Sequence, residues 1–287
     1  MEIVVKPSNI YNLQKYISKG ATAFLFGMKD YSINQTSIVN IKSLTYIKKK
    51  LSKKNIKIFV SIDKNIFNED IEPLKKILKE LDNINIEGIL FYDIALLSFK
   101  KELNLKTPLI WNQNFFVTNY KTCNYYEKEN VKGCVLSNEI TKEEINEIAK
   151  NTKMDLFLNV FGYQLMSYSK RKLVTSYFKN YKKIKLGNTH YIKDKDNKCI
   201  IREEKSGTAF ITSTILNYID YLLEFKSFGI KYIILDEANI KNADFLKVLD
   251  IANKTLLKQK TDKEEITKMF KNTSLGFLNK KTIYKVK

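Results

Sequence analysis

Histidine occurs once, at His190, and cysteine three times, at Cys123, Cys134 and Cys199, in a chain of 287 residues. One histidine cannot supply the usual multi-histidine metal site or a histidine-based triad. His190 lies in a polar segment and reads as a solvated surface residue. Three cysteines without C-x-x-C spacing indicate neither a disulfide framework nor a zinc ribbon, and read as reduced thiols. No stretch approaches the roughly 20 apolar residues of a membrane span, and the longest candidate, Gly88 to Phe99, is broken by Asp93. The amino terminus, MEIVVKPSN, has no basic region followed by a long apolar one. A cytoplasmic protein without membrane contact is expected. No G-x-x-x-x-G-K-[ST] or G-x-G-x-x-G match signals a nucleotide-binding loop, and there is no internal repeat or Gly/Ser linker. Arginine is scarce too: of 50 basic residues only Arg171 and Arg202 carry a guanidinium.

Against these absences stand a 44% hydrophobic content and a formal net charge of +19. Apolar runs recur along the whole length, so the chain can bury a sizeable core. The positive charge suits a polyanionic partner, because lysines release counterions from a nucleic-acid backbone. Abundant lysine, asparagine and isoleucine with three prolines is also what an AT-rich coding sequence produces, so charge alone does not decide. Aromatics interleaved with lysines, as in Tyr177, Phe178, Lys179, Tyr181, Lys182 and Lys183, suit base stacking or a solvated amphipathic helix.

Short apolar runs alternate with longer amphipathic ones, the pattern of βα units on a parallel sheet. Strands are expected at Ile3 to Val5, Ala23 to Phe26, Ile58 to Ile62, Gly88 to Tyr92, Leu109 to Trp111, Gly133 to Leu136, Leu156 to Phe161 and Tyr232 to Leu235. Helices are expected at Asn9 to Lys19, Ser37 to Lys54, Glu69 to Leu81, Ile94 to Leu103, Thr118 to Glu129, Thr141 to Lys150, Thr214 to Phe228 and Ala243 to Lys258. The T-K-E-E run at 141 to 144 resembles a capping box, and Gly20 and Gly229 follow helical runs. Eight of each predict an α/β fold, a (β/α)8 TIM-type barrel. Residues 1–260 would form it, with an insertion at 163–213 after strand seven. That insertion holds β-like runs at His190 to Lys193 and Cys199 to Arg202. Residues 261–287 would be an extension packing on the barrel.

In such folds ligands collect at the carboxyl ends of strands. The stretch from Asp155 to Phe178 has the right form: an apolar run expected to stop at Gly162, then a basic, hydroxyl-rich turn with Ser169, Lys170, Arg171 and Lys172. A planar guanidinium suits phosphate or carboxylate in a way lysine does not, or it forms a surface ion pair. Strand ends also carry Asp63, Asn65, Asp93, Asn112, Gln113, Asn114, Glu139, Asn159, Asp236 and Glu237. Asn112, Asn114 and Asn119 offer donors and acceptors to a uracil-like edge. Asp63, Asp93, Glu139 and Asp236 suit a hydroxyl, a cation or a partner lysine.

Four motifs in order resemble the U32 peptidase, or collagenase-like, family: G-A-T-A-F-L-F-G at 20–27, W-N-Q-N-F-F-V-T-N-Y-K-T-C-N-Y-Y at 111–126, V-L-S-N-E-I at 135–140 and F-G-Y-Q-L-M-S-Y-S-K-R-K-L at 161–173. The likeness is to the short branch. It implies a TIM-type barrel and a part in tRNA modification, C5 hydroxylation of the wobble uridine, together with a longer U32 paralogue. It places Asn112, Thr118, Asn119, Glu139, Gly162, Ser169 and Arg171 on motif positions. Phe161 stands where the family usually has His, and Leu165 where it often has Cys. Longer members hold an iron–sulfur cluster on four cysteines; none is expected here, and a cluster would belong to the partner. Residues and resemblance together make Asn112, Glu139, Ser169 and Arg171 the catalytic candidates. Asp63, Asn65, Asp93, Asn114, Thr118, Asn119, Asn159, Lys170 and Lys172 are the substrate-binding ones, with no metal ligand. The competing functions are a peptidase, with Ser169 as nucleophile and Lys170 or Lys172 as base, and a non-catalytic subunit.

Overall fold

A computed structural model describes residues 1–280 except 34, 114, 185–186, 195–196 and 206, and of Asp194 and Asn197 the backbone alone. Its strands are β1 (Glu2–Lys6), β2 (Ala23–Met28), β3 (Ile38–Val39), β4 (Lys57–Ile62), β5 (Gly88–Phe91), β6 (Leu109–Trp111), β7 (Gly133–Val135), β8 (Asp155–Ser169), β9 (Thr189–Asp194), β10 (Asn197–Glu204), β11 (Gly207–Asn217), β12 (Tyr232–Asp236) and β13 (Thr273–Ser274). Helices are α1 (Leu13–Ser18), α2 (Ile41–Leu51), α3 (Ile71–Ile84), α4 (Ala95–Leu103), α5 (Tyr120–Lys128), α6 (Lys142–Asn151), α7 (Leu173–Asn180), α8 (Leu222–Phe228), α9 (Asn242–Leu256) and α10 (Glu264–Met269). Parallel pairing runs β12-β1-β2-β4-β5-β6-β7-β8, and β8 pairs back onto β12. The sheet is therefore a closed eight-stranded parallel barrel with helices between its strands, the expected fold.

Alternation along each strand sorts the core into two layers. Inward residues Val4, Leu25, Phe59, Leu90, Ile110, Val135, Phe157 and Ile234 fill the barrel, while their neighbours pack outward on the helices. Tyr232 stacks on Phe157 at 4.2 Å between ring centres, and Phe59 meets both edge-on at 5.4 Å. These rings plug the interior. At the amino-terminal end Lys57 Nζ lies 2.5 Å from Glu2 and 3.0 Å from the Tyr232 hydroxyl. The expected capping box is present, since the Thr141 hydroxyl accepts from the Glu144 N–H at 3.3 Å and Glu144 accepts from the Thr141 N–H at 2.6 Å.

Three expectations change. The helix foreseen over Ser37 to Lys54 begins at Ile41 after the Asn40 cap, because Ile38–Val39 pair with β2. The helix foreseen from Thr214 starts at Leu222, because Thr214 to Asn217 finish β11. Gly162 does not end a strand. Its φ is +124°, and a Cβ there would stand 2.7 Å from the Asp236 carbonyl oxygen, so glycine lets β8 bend tightly past β12. The strand then runs on to Ser169, antiparallel to β11, with Tyr163 opposite Ile215 and Ser169 opposite Thr208. The 163–213 segment is thus mostly sheet: a β8–β11 ribbon carrying α7 and the β9–β10 hairpin. The tail at 281–287 lies outside the described residues. Among those residues no helix is long and apolar enough to cross a membrane.

Candidate functional site at the barrel mouth

A cavity of about 360 Å³ opens at the carboxyl ends of the strands. Leu25, Leu90, Val135 and Ile234 from the inner core form its floor. Around them stand Lys6, Gln35, Asp63, Asn112, Asn138, Glu139, Asn159 and Asp236. The ribbon residues Tyr163, Gln164, Leu165 and Met166 with Thr212, Thr214 and Leu216 form another wall, which Ser274, Gly276 and Phe277 extend.

Lys6 and Asp236 end neighbouring strands β1 and β12 in register, and their side chains, 10% and 9% exposed, form an ion pair. Asp236 also accepts from the Thr36 hydroxyl and, at 2.9 Å, from the Ala238 N–H. Asp63 accepts from the Ile33 N–H at 2.8 Å and from the Gln35 amide. Both carboxylates thereby hold the loop after β2 against the mouth. Behind them Glu237 takes the Ser8 N–H, the Tyr16 hydroxyl and the Asn242 amide, each at 2.6 Å. Burial, then the Glu237 carboxylate, raises the Tyr16 hydroxyl above its ordinary range, so it stays a donor.

Beside the Lys6–Asp236 pair the polar lining consists of the carboxamides of Gln35, Asn112, Asn138, Asn159 and Gln164, the carboxylates of Asp63 and Glu139, and hydroxyls from Tyr163, Thr212, Thr214 and Ser274. Asn138 and Asn159 bond each other, Nδ2 of Asn138 to the Asn159 carbonyl at 2.9 Å and Nδ2 of Asn159 to Asn138 Oδ1 at 3.2 Å. Gln164 Nε2 donates to the Gly162 carbonyl at 3.0 Å. Among the described residues Gln35 Oε1, which is buried, has no hydrogen-bond partner. Carboxamides present donor and acceptor together, which suits a planar ligand with alternating N–H and C=O groups.

Four of the sequence candidates meet here: Asn112, Glu139, Asp63 and Asn159. Others are placed elsewhere. Because β8 continues, Ser169 ends the ribbon and the exposed Lys170, Arg171 and Lys172 follow it, and none of the four lines the cavity. The Ser169 hydroxyl accepts from the Arg171 N–H at 3.2 Å and Lys170 Nζ sits 3.2 Å above the centre of the Phe67 ring; among the described residues neither Lys170 nor Lys172 bonds the Ser169 hydroxyl. Asn119 caps α5 through the Thr122 N–H at 2.9 Å, and Thr118 and Asn65 are exposed away from the cavity. Asp93 accepts from the Ile66 and Ala95 N–H groups at 2.8 and 2.9 Å, a loop-building role. Asn114 lies outside the described residues. Of the two departures from the family motif, Phe161 packs outward on Phe270 at 5.8 Å, and only Leu165 reaches the cavity. Lys6, Gln35, Asn138 and Gln164 were not singled out from the sequence; Asp236 was, for a hydroxyl, a cation or a partner lysine, and the structure gives it Lys6.

A TIM-type barrel with a strand-end cavity walled by the β8–β11 ribbon and bearing five carboxamides is the class of protein the geometry defines. Residues 8–283 match the model of peptidase family U32, and the chain belongs to that family. It is 28% identical over 237 residues to tRNA hydroxylation protein P2 of Bacillus subtilis (strain 168), covering 80% of this chain and 77% of the relative. It is 22% identical over 179 residues to tRNA hydroxylation protein P1 of the same organism, covering 61% of this chain and 42% of the relative. A solved U32 peptidase matches with a TM-score of 0.51 at 8% identity, covering 82% of this chain and 92% of that one, a likeness of fold.

Proposed function

We propose that this chain takes part in tRNA hydroxylation, at C5 of the wobble uridine, alongside a longer U32 paralogue. The observation that carries this is the carboxamide-lined cavity in a chain whose matched relatives include two tRNA hydroxylation proteins. A uridine turned out of its stack would enter the mouth, where Asn112, Asn159 and Gln35 offer donors and acceptors to its imide edge. The Lys6–Asp236 pair and Asp63 hold the surrounding loops, so the amides are oriented before the base arrives.

Deleting the gene in the native host and measuring nucleosides of total tRNA by mass spectrometry tests this. 5-Hydroxyuridine derivatives should disappear, return with wild type and stay absent with Asn112→Ala. An unchanged nucleoside profile would reject the proposal. Copurification of the tagged chain with the longer paralogue tests the partnership.

A further inference from the structure

The insertion that walls the cavity carries a second surface at its far end. From Gly162 the ribbon runs seven residues to Ser169, roughly 20 Å at the usual strand rise. There α7 is anchored from within. The Glu203 carboxylate, 1% exposed, accepts from the Val174 N–H at 2.7 Å, the Thr175 N–H at 3.1 Å and the Thr208 hydroxyl at 3.1 Å. With Val174 buried beneath it, α7 turns Tyr177 and Lys179 outward, and Tyr181, Lys182 and Lys183 just past its end are exposed as well. Tyr177 and Tyr181 are 54% and 58% exposed with ring centres 4.7 Å apart, and Tyr191 on β9 is 63% exposed.

The sequence of this segment is strongly basic. Residues 170–205 contain twelve Lys or Arg against four Asp or Glu, and one of the four is the buried Glu203. On the helical belt lysines meet carboxylates, as in Lys48–Glu87, Lys75–Glu102 and Lys101–Glu129. Among the described residues Lys179, Lys182 and Lys183 form no ion pair. Paired open tyrosines within unneutralised lysines fit bases to stack on and phosphates to contact. A protein partner fits less well, because lysine is depleted from protein interfaces.

We infer that the outer face of α7 and β9 is a docking surface for single-stranded or looped RNA, separate from the cavity. This rests on the tRNA reading above. The test is fluorescence anisotropy of a labelled, unmodified tRNA with the full chain at several salt concentrations. Variants are Tyr177→Ala/Tyr181→Ala and Lys179→Gln/Lys182→Gln/Lys183→Gln, with Lys101→Gln as control and circular dichroism to verify folding. The tyrosine variant should weaken binding at least tenfold. The lysine variant should flatten the slope of log affinity against log salt by about 2, from the per-phosphate slope for single strands. The control should stay within twofold of wild type. Wild-type binding with both variants unaltered overturns the docking surface and leaves the tRNA reading standing. Absence of tRNA binding by wild type overturns both. Variants that keep tRNA affinity but lose copurification with the paralogue would identify a protein interface instead and overturn the inference.

Discussion

Removing the Asp236 carboxylate would leave the Lys6 ammonium nine-tenths buried without its ion-pair partner. Breaking a buried ion pair by removing one member costs about 3–5 kcal/mol, whereas replacing both members by apolar groups often costs little. Asp236→Ala should therefore lower urea-unfolding stability by about that amount, and Lys6→Met/Asp236→Leu should recover at least half of the loss. A double variant as unstable as the sum of the singles would show that the two are not coupled. Arg171 behaves oppositely. Its guanidinium makes no hydrogen bond or ion pair among the described residues, and only its backbone groups bond, to Ser169 and Thr208. Arg171→Lys should leave stability within about 0.5 kcal/mol of wild type by the same unfolding measurement. Rarity singled that residue out in the sequence, but scarcity is a property of composition and does not place a side chain. Asn112, Glu139 and Asp63 were legible because they follow strands, and Asn159 because it lies near the carboxyl end of its expected strand, where barrel geometry sends residues to the mouth. Lys6 was not, since one lysine among 50 basic residues carries no local mark until β1 and β12 are paired.

Elements differ in how far local sequence determines them. The α6 start was legible from T-K-E-E because a capping box involves only residues three apart. α7 starts differently: the N–H of its first residue goes to the Thr208 hydroxyl and those of its next two to Glu203, about thirty positions along the chain and on β10, a relation no window reveals. Glu203→Gln removes the charge from those bonds, so Val174 and Thr175 amides should exchange faster, with a local cost of roughly 1–3 kcal/mol. Amides of β1 and β12 should be unaffected; slowed or unchanged exchange at Val174 would contradict this account. At the opposite end of the barrel, burial would lower the Lys57 pKa, but hydrogen bonds to Glu2 and Tyr232 outweigh it and raise the pKa overall. A cation with a raised folded pKa stabilises fully below its unfolded value, about 10.4 for lysine, and loses that contribution as pH rises through the folded value. The melting-temperature gap between wild type and Lys57→Met should thus be flat near neutrality and narrow only above about pH 10.4. Narrowing near neutrality would mean another group is responsible.

For the whole molecule, alternation of short apolar and amphipathic runs was enough to foresee eight strands, eight helices and closure, because each βα unit is short and local. What crossed units was not legible. Thr214 to Asn217 reads as helix by its own pattern, yet pairing with β8 makes it strand, and Gly162 looks like a stop until Asp236 is brought against it. The carboxyl-terminal strap is a further long-range part. β13 adds to β11 at Ile215 and Leu216, Leu278 is fully buried and its carbonyl takes the Lys142 N–H at 2.9 Å, and Ser274, Gly276 and Phe277 line the cavity. A chain ended after Lys271 keeps all eight barrel strands and the Phe161–Phe270 contact, so it should still unfold cooperatively. Loss of Leu278 burial costs about 1.5–3 kcal/mol. At about 2–4 °C per kcal/mol for a large domain, the melting temperature should fall by roughly 3–12 °C. Hydroxylated nucleoside should fall much further than stability does, because a base would sit in a cavity open along one wall. If calorimetry shows the modest shift while nucleoside levels are unchanged, the strap only buttresses the ribbon and its wall of the cavity has no part in hydroxylation.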